Sequence, residues 1–505
     1  MTTDRHNRIQ KLLIANRGEI AVRIARSARE MGIRTVAVCS DADKHAKHCE
    51  ACDEVVSIGG ETPLESYLII DRIFEAAAKA GADAIHPGYG FLSEKSAFSK
   101  RCEESGITFV GPKPASIEQM GGKIESRHLA TSLDVPITPG YVLSKDGSDT
   151  IDVLKKEAER IGYPVLVKAS AGGGGKGMRV VWQPELLEES VDSVRSEARN
   201  AFADETIYFE KYLLEPRHIE FQILADHHGN VWALHERECS VQRRHQKIIE
   251  EAPSVLLDND LRKRMADAAV KIAKSVNYVN AGTMEFLVDV NRNFYFLEMN
   301  TRLQVEHPIT EMITGLDLVK LQLQIAQGES LTDILPNGIP EIRGHAIEAR
   351  LYAEDPAAGF LPSIGRIEQY VEPIGPGVRI DSGIRAGNEV SVHYDPMLAK
   401  LIVYDTDRKA AIKRLKTALA DFVLLGPRTN LDYLYQITTS DIFASGRYDT
   451  SLCEKLPAER PGLDLLNESL FHVAASFFGG SVRNSSPVGQ GVDQRAVWQG
   501  GFRCP

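Results

Sequence analysis

The chain has 505 residues, 43% hydrophobic and 26% charged, with 40 Gly and 23 Pro. That is the composition of a globular protein large enough for two to four domains, and it excludes extended disorder. A formal net charge of -11 excludes a general nucleic-acid binder, which needs a basic surface to neutralise phosphates, but leaves open a nucleotide held in a local basic cleft.

Only Met1 to Gln10 precede the first apolar run, no apolar stretch reaches membrane-spanning length, and the seven cysteines are irregularly spaced. The sequence therefore predicts a cytoplasmic chain with no leader and no membrane partner. Lys11 to Ala15 reads as a strand, Ile20 to Met31 as a helix stopped by Gly32, and Arg34 to Ser40 as a second strand. Cys49-Glu-Ala-Cys52, with His45 and His48 upstream, lacks the second pair that a zinc site needs and is read as a polar loop between strands. A helix around Tyr67 to Ala80 ending at Gly81, then strands at Ala82 to Ile85 and Ile107 to Val110, complete a parallel α/β unit over about residues 1–120. Beyond residue 160, the closely spaced runs Pro164–Lys168, Met178–Val181, Ile219–Leu224 and Val231–Leu234 predict antiparallel sheets and hence α+β domains.

Between two of these strands lies Ala171-Gly-Gly-Gly-Gly-Lys-Gly177. Adjacent glycines let backbone amides approach a phosphate, and the same residues also suit a flexible hairpin turn. Lys168 closes the preceding strand, where its charge reaches the same phosphates. Further on, Thr283–Asp289 and Phe294–Asn300 alternate in polarity. With Asn291-Arg292 as a two-residue turn, Val290 pairs with Asn293 and Glu285 faces Glu298, with Asn300 on the same side. Two carboxylates roughly 5 Å apart repel unless a proton or cation lies between them, so these oxygens point to a nucleotide-bound magnesium site; an exposed hairpin face is the alternative. The following Thr301 to Pro308 offers Arg302 as a seat for an anion and Glu306 as a base, and taken alone the same residues suit a surface ion pair equally well. Gln242 to Lys247, followed by Glu250-Glu251, reads either as a solvated charged face or as an anion cleft.

These residues, taken with Ile14 to Ala21, His86 to Glu94, Glu210-Lys-Tyr-Leu213, Pro216-Arg-His218 and Gly344 to Arg350, resemble biotin carboxylases of the ATP-grasp superfamily. The resemblance covers about residues 10–445. It implies an N-terminal Rossmann-like parallel α/β domain (1–120) and an ATP-grasp domain (121–330) with a mobile glycine-rich lid at about 135–205. A C-terminal α+β biotin carboxylase domain (331–448) and a tail (449–505) follow. It further implies ATP contacts from Lys123, Lys168, Gly174, Gly175, the Glu210, Lys211, Tyr212 and Leu213 hinge, His218 and His245, and Mg²⁺ or Mn²⁺ on Glu285, Glu298 and Asn300. Lys247, Arg302 and the Val305 backbone would seat bicarbonate, Glu306 would be the base, Arg350 would stabilise a biotin enolate, and Tyr89 would line the biotin pocket.

The sequence contains no Met-Lys pair of the kind that carries biotin, so biotin is expected on a separate carrier, with a carboxyltransferase as a further partner and a homodimer of carboxylase units. The Gly- and Ser-rich stretch after residue 446 faintly resembles the linker of longer acyl-CoA carboxylase subunits, and a chain shortened from such a parent is expected. The rival readings are another ATP-grasp ligase joining a carboxylate to an amine, and a silent nucleotide-binding scaffold.

Overall fold

The computed structural model describes residues 8–144, 149–170, 177–202, 206–456 and 458. The tetraglycine loop, with Gly174 and Gly175, and all but the first residues of the tail lie outside the described residues. Strands β1 (Lys11–Ile14), β2 (Arg34–Cys39), β3 (Glu54–Ser57), β4 (Ala84–His86) and β5 (Thr108–Phe109) form a parallel sheet in the order β3-β2-β1-β4-β5. Helix α1 (Gly18–Glu30) buries Ile20, Ala21, Ile24, Ala25 and Ala28, one face at i, i+4 spacing, against Leu318, Leu321 and Ile325 of the helix Leu318–Ala326. It ends where expected, because Gly32 takes φ +74, a backbone conformation that side chains resist.

The segment around Cys49 departs from expectation. Lys47–Ala51 is a short helix, and His48, Cys49 and Cys52 point inward, at 0%, 7% and 9% exposure. His48 accepts from the Gly18 amide at 3.4 Å. A locally polar sequence is thus buried by tertiary packing, and its residues brace the start of α1.

Strands β6 (Gly140–Val142), β7 (Val165–Ala169), β8 (Met178–Val181) and β9 (Ile207–Lys211) make an antiparallel sheet in the order β6-β9-β7-β8. The largest sheet holds β10 (Arg217–Ala225), β11 (Val231–Arg243), β12 (Gln246–Ala252), β13 (Asn280–Val288), β14 (Phe294–Asn300), β15 (His345–Tyr352) and two further strands, Val378–Ser382 and Met397–Asp405. Its eight strands run β14-β13-β10-β11-β12-β15, then Met397–Asp405, then Val378–Ser382.

Alternation gives this sheet two unlike faces. Ile219, Phe221 and Ile223 of β10 and Met284, Phe286 and Val288 of β13 pack with Leu261, Met265 and Ile272 of the helix Asn259–Ser275. His218, Glu220, Thr283 and Glu285 therefore line the other face, where Arg237 of β11 donates to Thr310 of the helix His307–Thr314 at 3.0 Å. No helix among the described residues is long and apolar enough to cross a membrane.

The β13–β14 hairpin reaches the expected pairing by a different route. Its turn is a three-residue loop: the Asp289 amide donates to Asn293 at 2.9 Å, and Arg292 takes φ +65. Val288 consequently faces Phe294, one residue off the two-residue register, and an irregularity between Glu285 and Phe286 restores it, so Glu285 does face Glu298. Asn300 lies two residues beyond Glu298 and donates to Glu285 Oε1 at 2.8 Å.

Candidate active site

A polar row crosses the large sheet. Register places Glu298 opposite Glu285, Glu285 opposite Glu220, and Glu220 opposite Arg237. Lys247, near the start of β12, reaches into the row: its Nζ lies 2.6 Å from Glu220, 2.9 Å from Glu285 and 2.8 Å from Glu306. Arg237, wholly buried, holds Glu220 at 2.5 Å and also bonds Gln222 and Thr283. His218 Nδ1 accepts from Gln242 at 2.7 Å, and its Nε2 sits 2.9 Å from Glu285, off the line of a well-directed hydrogen bond. Gln242, Glu250 and Glu251 are buried and Lys247 is half-buried, while Arg244 and His245 between them are exposed, so the Gln242–Glu251 run faces inward at its two ends and meets solvent at its turn.

Beyond β14, Thr301–Glu306 has no ladder to fix its backbone, and side chains supply the order. Arg302 donates to Glu94 at 3.0 Å, to Gln304 at 2.7 Å and to Asn300 at 3.0 Å, while Gln304 donates to Glu285 at 3.0 Å. Glu306 stands at the residue just before the helix His307–Thr314, where its side chain makes no capping bond and is instead fully buried between Lys247 at 2.8 Å and Arg350 at 3.0 Å. Arg350, from β15, also lies 2.5 Å from Glu250. Tyr89, on the loop after β4, is tethered through its carbonyl to Asn16, and its buried hydroxyl has no hydrogen-bond partner among the described residues.

A second group lies toward the four-stranded sheet. Glu210 of β9 gathers Lys168 of β7 at 2.5 Å, Arg127 at 2.7 Å and Thr138 at 2.6 Å. Lys123 opens the helix Lys123–Ser132 and is coupled electrostatically to Glu298, Lys168 and Glu210, which ties this group to the polar row. His245 sits with Arg244 in the tight β11–β12 turn, both at positive φ (66° and 49°), a conformation that non-glycine residues adopt under constraint. Lys211 points elsewhere: its ammonium donates to the Gly162 and Tyr163 carbonyls, so its side chain is not part of this group. Tyr212 packs edge-on to Trp182, and Leu213 follows on the link to β10.

Burial alone would push every one of these carboxyls up, and the cations decide which stay ionised. Burial opposes Glu306, but Lys247, Arg350 and Arg237 hold it well below the usual range. Glu285 is likewise held low against burial by Lys247 and His218. Glu298 is instead raised, by burial and by Glu285 opposite it. Burial also lifts Glu250 to about 7, against the pull of Arg350. Glu298, half-buried and raised by the carboxylate facing it, pairs with Glu285 as hard oxygen donors of the kind that suits Mg²⁺, while in this arrangement the Asn300 amide oxygen is taken by Arg302 at 3.0 Å.

Glu220, Arg237, Arg127 and Glu94 were not singled out by the sequence reading. The first had a readable signal: His218, Glu220 and Gln222 are polar at period two inside an apolar run, hence on one face. Arg127 lies four residues from Lys123 on one helix face.

Family models match three segments: "Biotin carboxylase, N-terminal domain" over residues 8–117, "Carbamoyl-phosphate synthase L chain, ATP binding domain" over 122–334, and "Biotin carboxylase C-terminal domain" over 348–455. The chain is 51% identical over 451 residues to the alpha chain of the mitochondrial methylcrotonoyl-CoA carboxylase of Glycine max, covering 89% of this chain but only 61% of that one. It is also 51% identical over 458 residues to a pyruvate carboxylase subunit of Methanothermobacter thermautotrophicus, covering 90% and 91% of the two chains. Among solved structures, it resembles the biotin carboxylase domain dimer of Hydrogenobacter thermophilus 2-oxoglutarate carboxylase, in complex with MgADP, ADP and bicarbonate. That match has a TM-score of 0.84 and 43% identity and covers 90% of this chain and 99% of that one.

Proposed function

The chain belongs to the biotin carboxylase family, and from that premise we propose that it is a ligase that carboxylates biotin with bicarbonate in a reaction driven by MgATP. The observation that carries this reading is Glu306: one buried carboxylate, kept ionised, between Lys247 at 2.8 Å and Arg350 at 3.0 Å on neighbouring strands. A base that must hold no proton before it acts needs such an environment.

In the proposed mechanism, Lys247, Arg302 and the Val305 backbone seat bicarbonate, and Glu306 removes its proton. A bicarbonate oxygen attacks the γ-phosphorus of ATP, the bond to the ADP oxygen breaks, and carboxyphosphate results. Lys123 and Lys168 face the phosphates, Lys168 being aimed by Glu210. The Gly174 and Gly175 amides, the Glu210–Leu213 hinge, His218 and His245 complete the nucleotide contacts. Glu285, Glu298 and Asn300 would hold Mg²⁺ or Mn²⁺, which when bound supplies charge neutralisation for the transferring phosphoryl group. Carboxyphosphate releases CO₂, the phosphate left takes the ureido proton of biotin, and the nitrogen bonds to CO₂. Arg350 stabilises the enolate oxygen that develops, and Tyr89 lines the pocket.

The 505 residues contain no Met-Lys pair, so in this proposal biotin arrives on a carrier outside them. A carboxyltransferase then selects the final acceptor, and carboxylase units pair as in the dimeric Hydrogenobacter structure. The setting in this proposal is a reducing one, the cytoplasm, and the six described cysteines, all unpaired, are in keeping with any reducing compartment. The test is ADP release with MgATP, with and without bicarbonate and free biotin, beside Glu306→Gln. Bicarbonate-dependent turnover should fall by roughly 10² to 10⁴ in the variant; an undiminished variant would remove Glu306 from its role.

A further inference from the structure

Lys400 lies in the middle of the strand Met397–Asp405 and is fully buried. A lysine so placed must be paired to remain charged, and its neighbours come from separate parts of the chain. Glu19 at the start of α1 is 3.3 Å from Nζ, and Asp381 of the strand Val378–Ser382 is 3.8 Å away. Together with Glu348 on β15 these acids keep the ammonium charged against the effect of burial. Neither carboxylate takes a short hydrogen bond from it. The short bond goes to the Val305 carbonyl, at 2.9 Å.

That carbonyl belongs to the peptide joining Val305 to Glu306. The peptide lies in the irregular segment that carries both Arg302 and the base, where three consecutive carbonyls are each held by a side chain. Leu303 accepts from Arg302 at 3.3 Å, Gln304 from the His307 ring at 2.7 Å, and Val305 from Lys400. The His307 ring is kept neutral by burial, so it donates from Nδ1 and leaves Nε2 without a partner among the described residues. Of the three holding groups, Lys400 alone reaches in from the strand beyond β15. An apolar residue of similar length would fill the space, but it would release the peptide plane on which Glu306 is mounted.

We propose that Lys400 is a positioning residue that fixes the Val305–Glu306 peptide from behind, and so sets the bicarbonate seat without touching bicarbonate. The inference rests on reading residues 302–306 as that seat. Displacements of about 1 Å in such a segment cost roughly 10²-fold in rate, so the effect belongs to bicarbonate and not to nucleotide.

The experiment uses the whole chain with two variants, Lys400→Met and Lys400→Met/Glu19→Gln. The second also removes Glu19, the nearest of the carboxylates that the first leaves without this cation. Steady-state ADP release is measured against bicarbonate and, separately, against MgATP. In both variants the bicarbonate KM should rise roughly tenfold or more, as for a lost hydrogen bond from a charged donor, while the MgATP KM stays within about twofold. A folded double variant with an unchanged bicarbonate KM overturns the proposal. So does an equal rise in both KM values, or failure of both variants to fold, since either assigns Lys400 to the scaffold alone. A wild-type chain showing no bicarbonate-dependent ADP release refutes the functional reading itself, whatever the variants do.

Discussion

Lys247→Met removes the one ammonium that lies within 2.9 Å of Glu220, Glu285 and Glu306 together. Breaking a buried pair by deleting one partner costs about 3–5 kcal/mol. Three carboxylates lose a cation here, but they need not all stay charged: once burial and mutual repulsion dominate, at least one takes up a proton, which limits the loss to about that of a single pair. The linkage sign follows. In the wild type, Glu285 and Glu306 have depressed folded values, so they stabilise the fold above about pH 4.5 and lose that contribution as pH falls through their folded values. In the variant the carboxyl that protonates has a folded value above its unfolded one, so the variant loses stability as pH rises and regains it on acidification. Thermal melts of both proteins at one scan rate should differ by roughly 3–5 °C at pH 8, with the gap closing by about half or more at pH 5.5. A gap of the same size at both pH values would refute the idea that Lys247 balances this carboxylate cluster. Bicarbonate-dependent ADP release should be lost in the same variant.

Glu298→Gln relieves the repulsion with Glu285 that holds Glu298 high, so without metal the variant should be more stable by roughly 1 kcal/mol in denaturant titrations. The same variant should need roughly tenfold more Mg²⁺ for half-maximal ADP release, because an oxygen donor is lost. Glu210→Gln leaves Lys168 and Arg127 without the carboxylate that aims them; the MgATP KM should rise roughly tenfold, with the bicarbonate KM within about twofold, when ADP release is followed.

The parts of the fold that were legible in the sequence rest on period and punctuation. Strand–helix alternation before residue 120 reads directly as a parallel sheet, and Gly32 and Gly81 mark helix ends because the turn needs their backbone. The Glu285–Glu298 pairing was reached through two deviations that cancel, a longer loop at Arg292 and the irregularity beside Glu285. Neither has a strong local signature, so the face was predictable and the turn was not. Glu220 and Arg237 escaped because β10 is buried on both sides, where polar residues look like exceptions to an apolar strand until the chain opposite is known. His48 and Cys49 read as polar loop for the converse reason: only the packing of the short helix against α1 and β2 puts them inside. Lys400 in Met397-Leu-Ala-Lys-Leu-Ile-Val403 was visible as a charge inside an apolar run, but its partners come from 19, 305 and 381, far apart in the chain.

The eight-stranded sheet has a consequence for anyone building hybrids of this chain. Strands β12 and β15 pair from Ile249–Ala349 to Ala252–Ala346, although the stretch matched as the ATP-binding unit ends at 334, between the two strands, and the C-terminal unit begins at 348, inside β15. A chimaera spliced in that gap would graft half of a hydrogen-bonded ladder onto a foreign edge and would part Lys247 and Glu250 from Arg350. The natural unit of exchange is therefore the whole sheet with the helices packed on it, while the four strands β6–β9, which among the described residues pair only with one another, can be traded without cutting a described ladder.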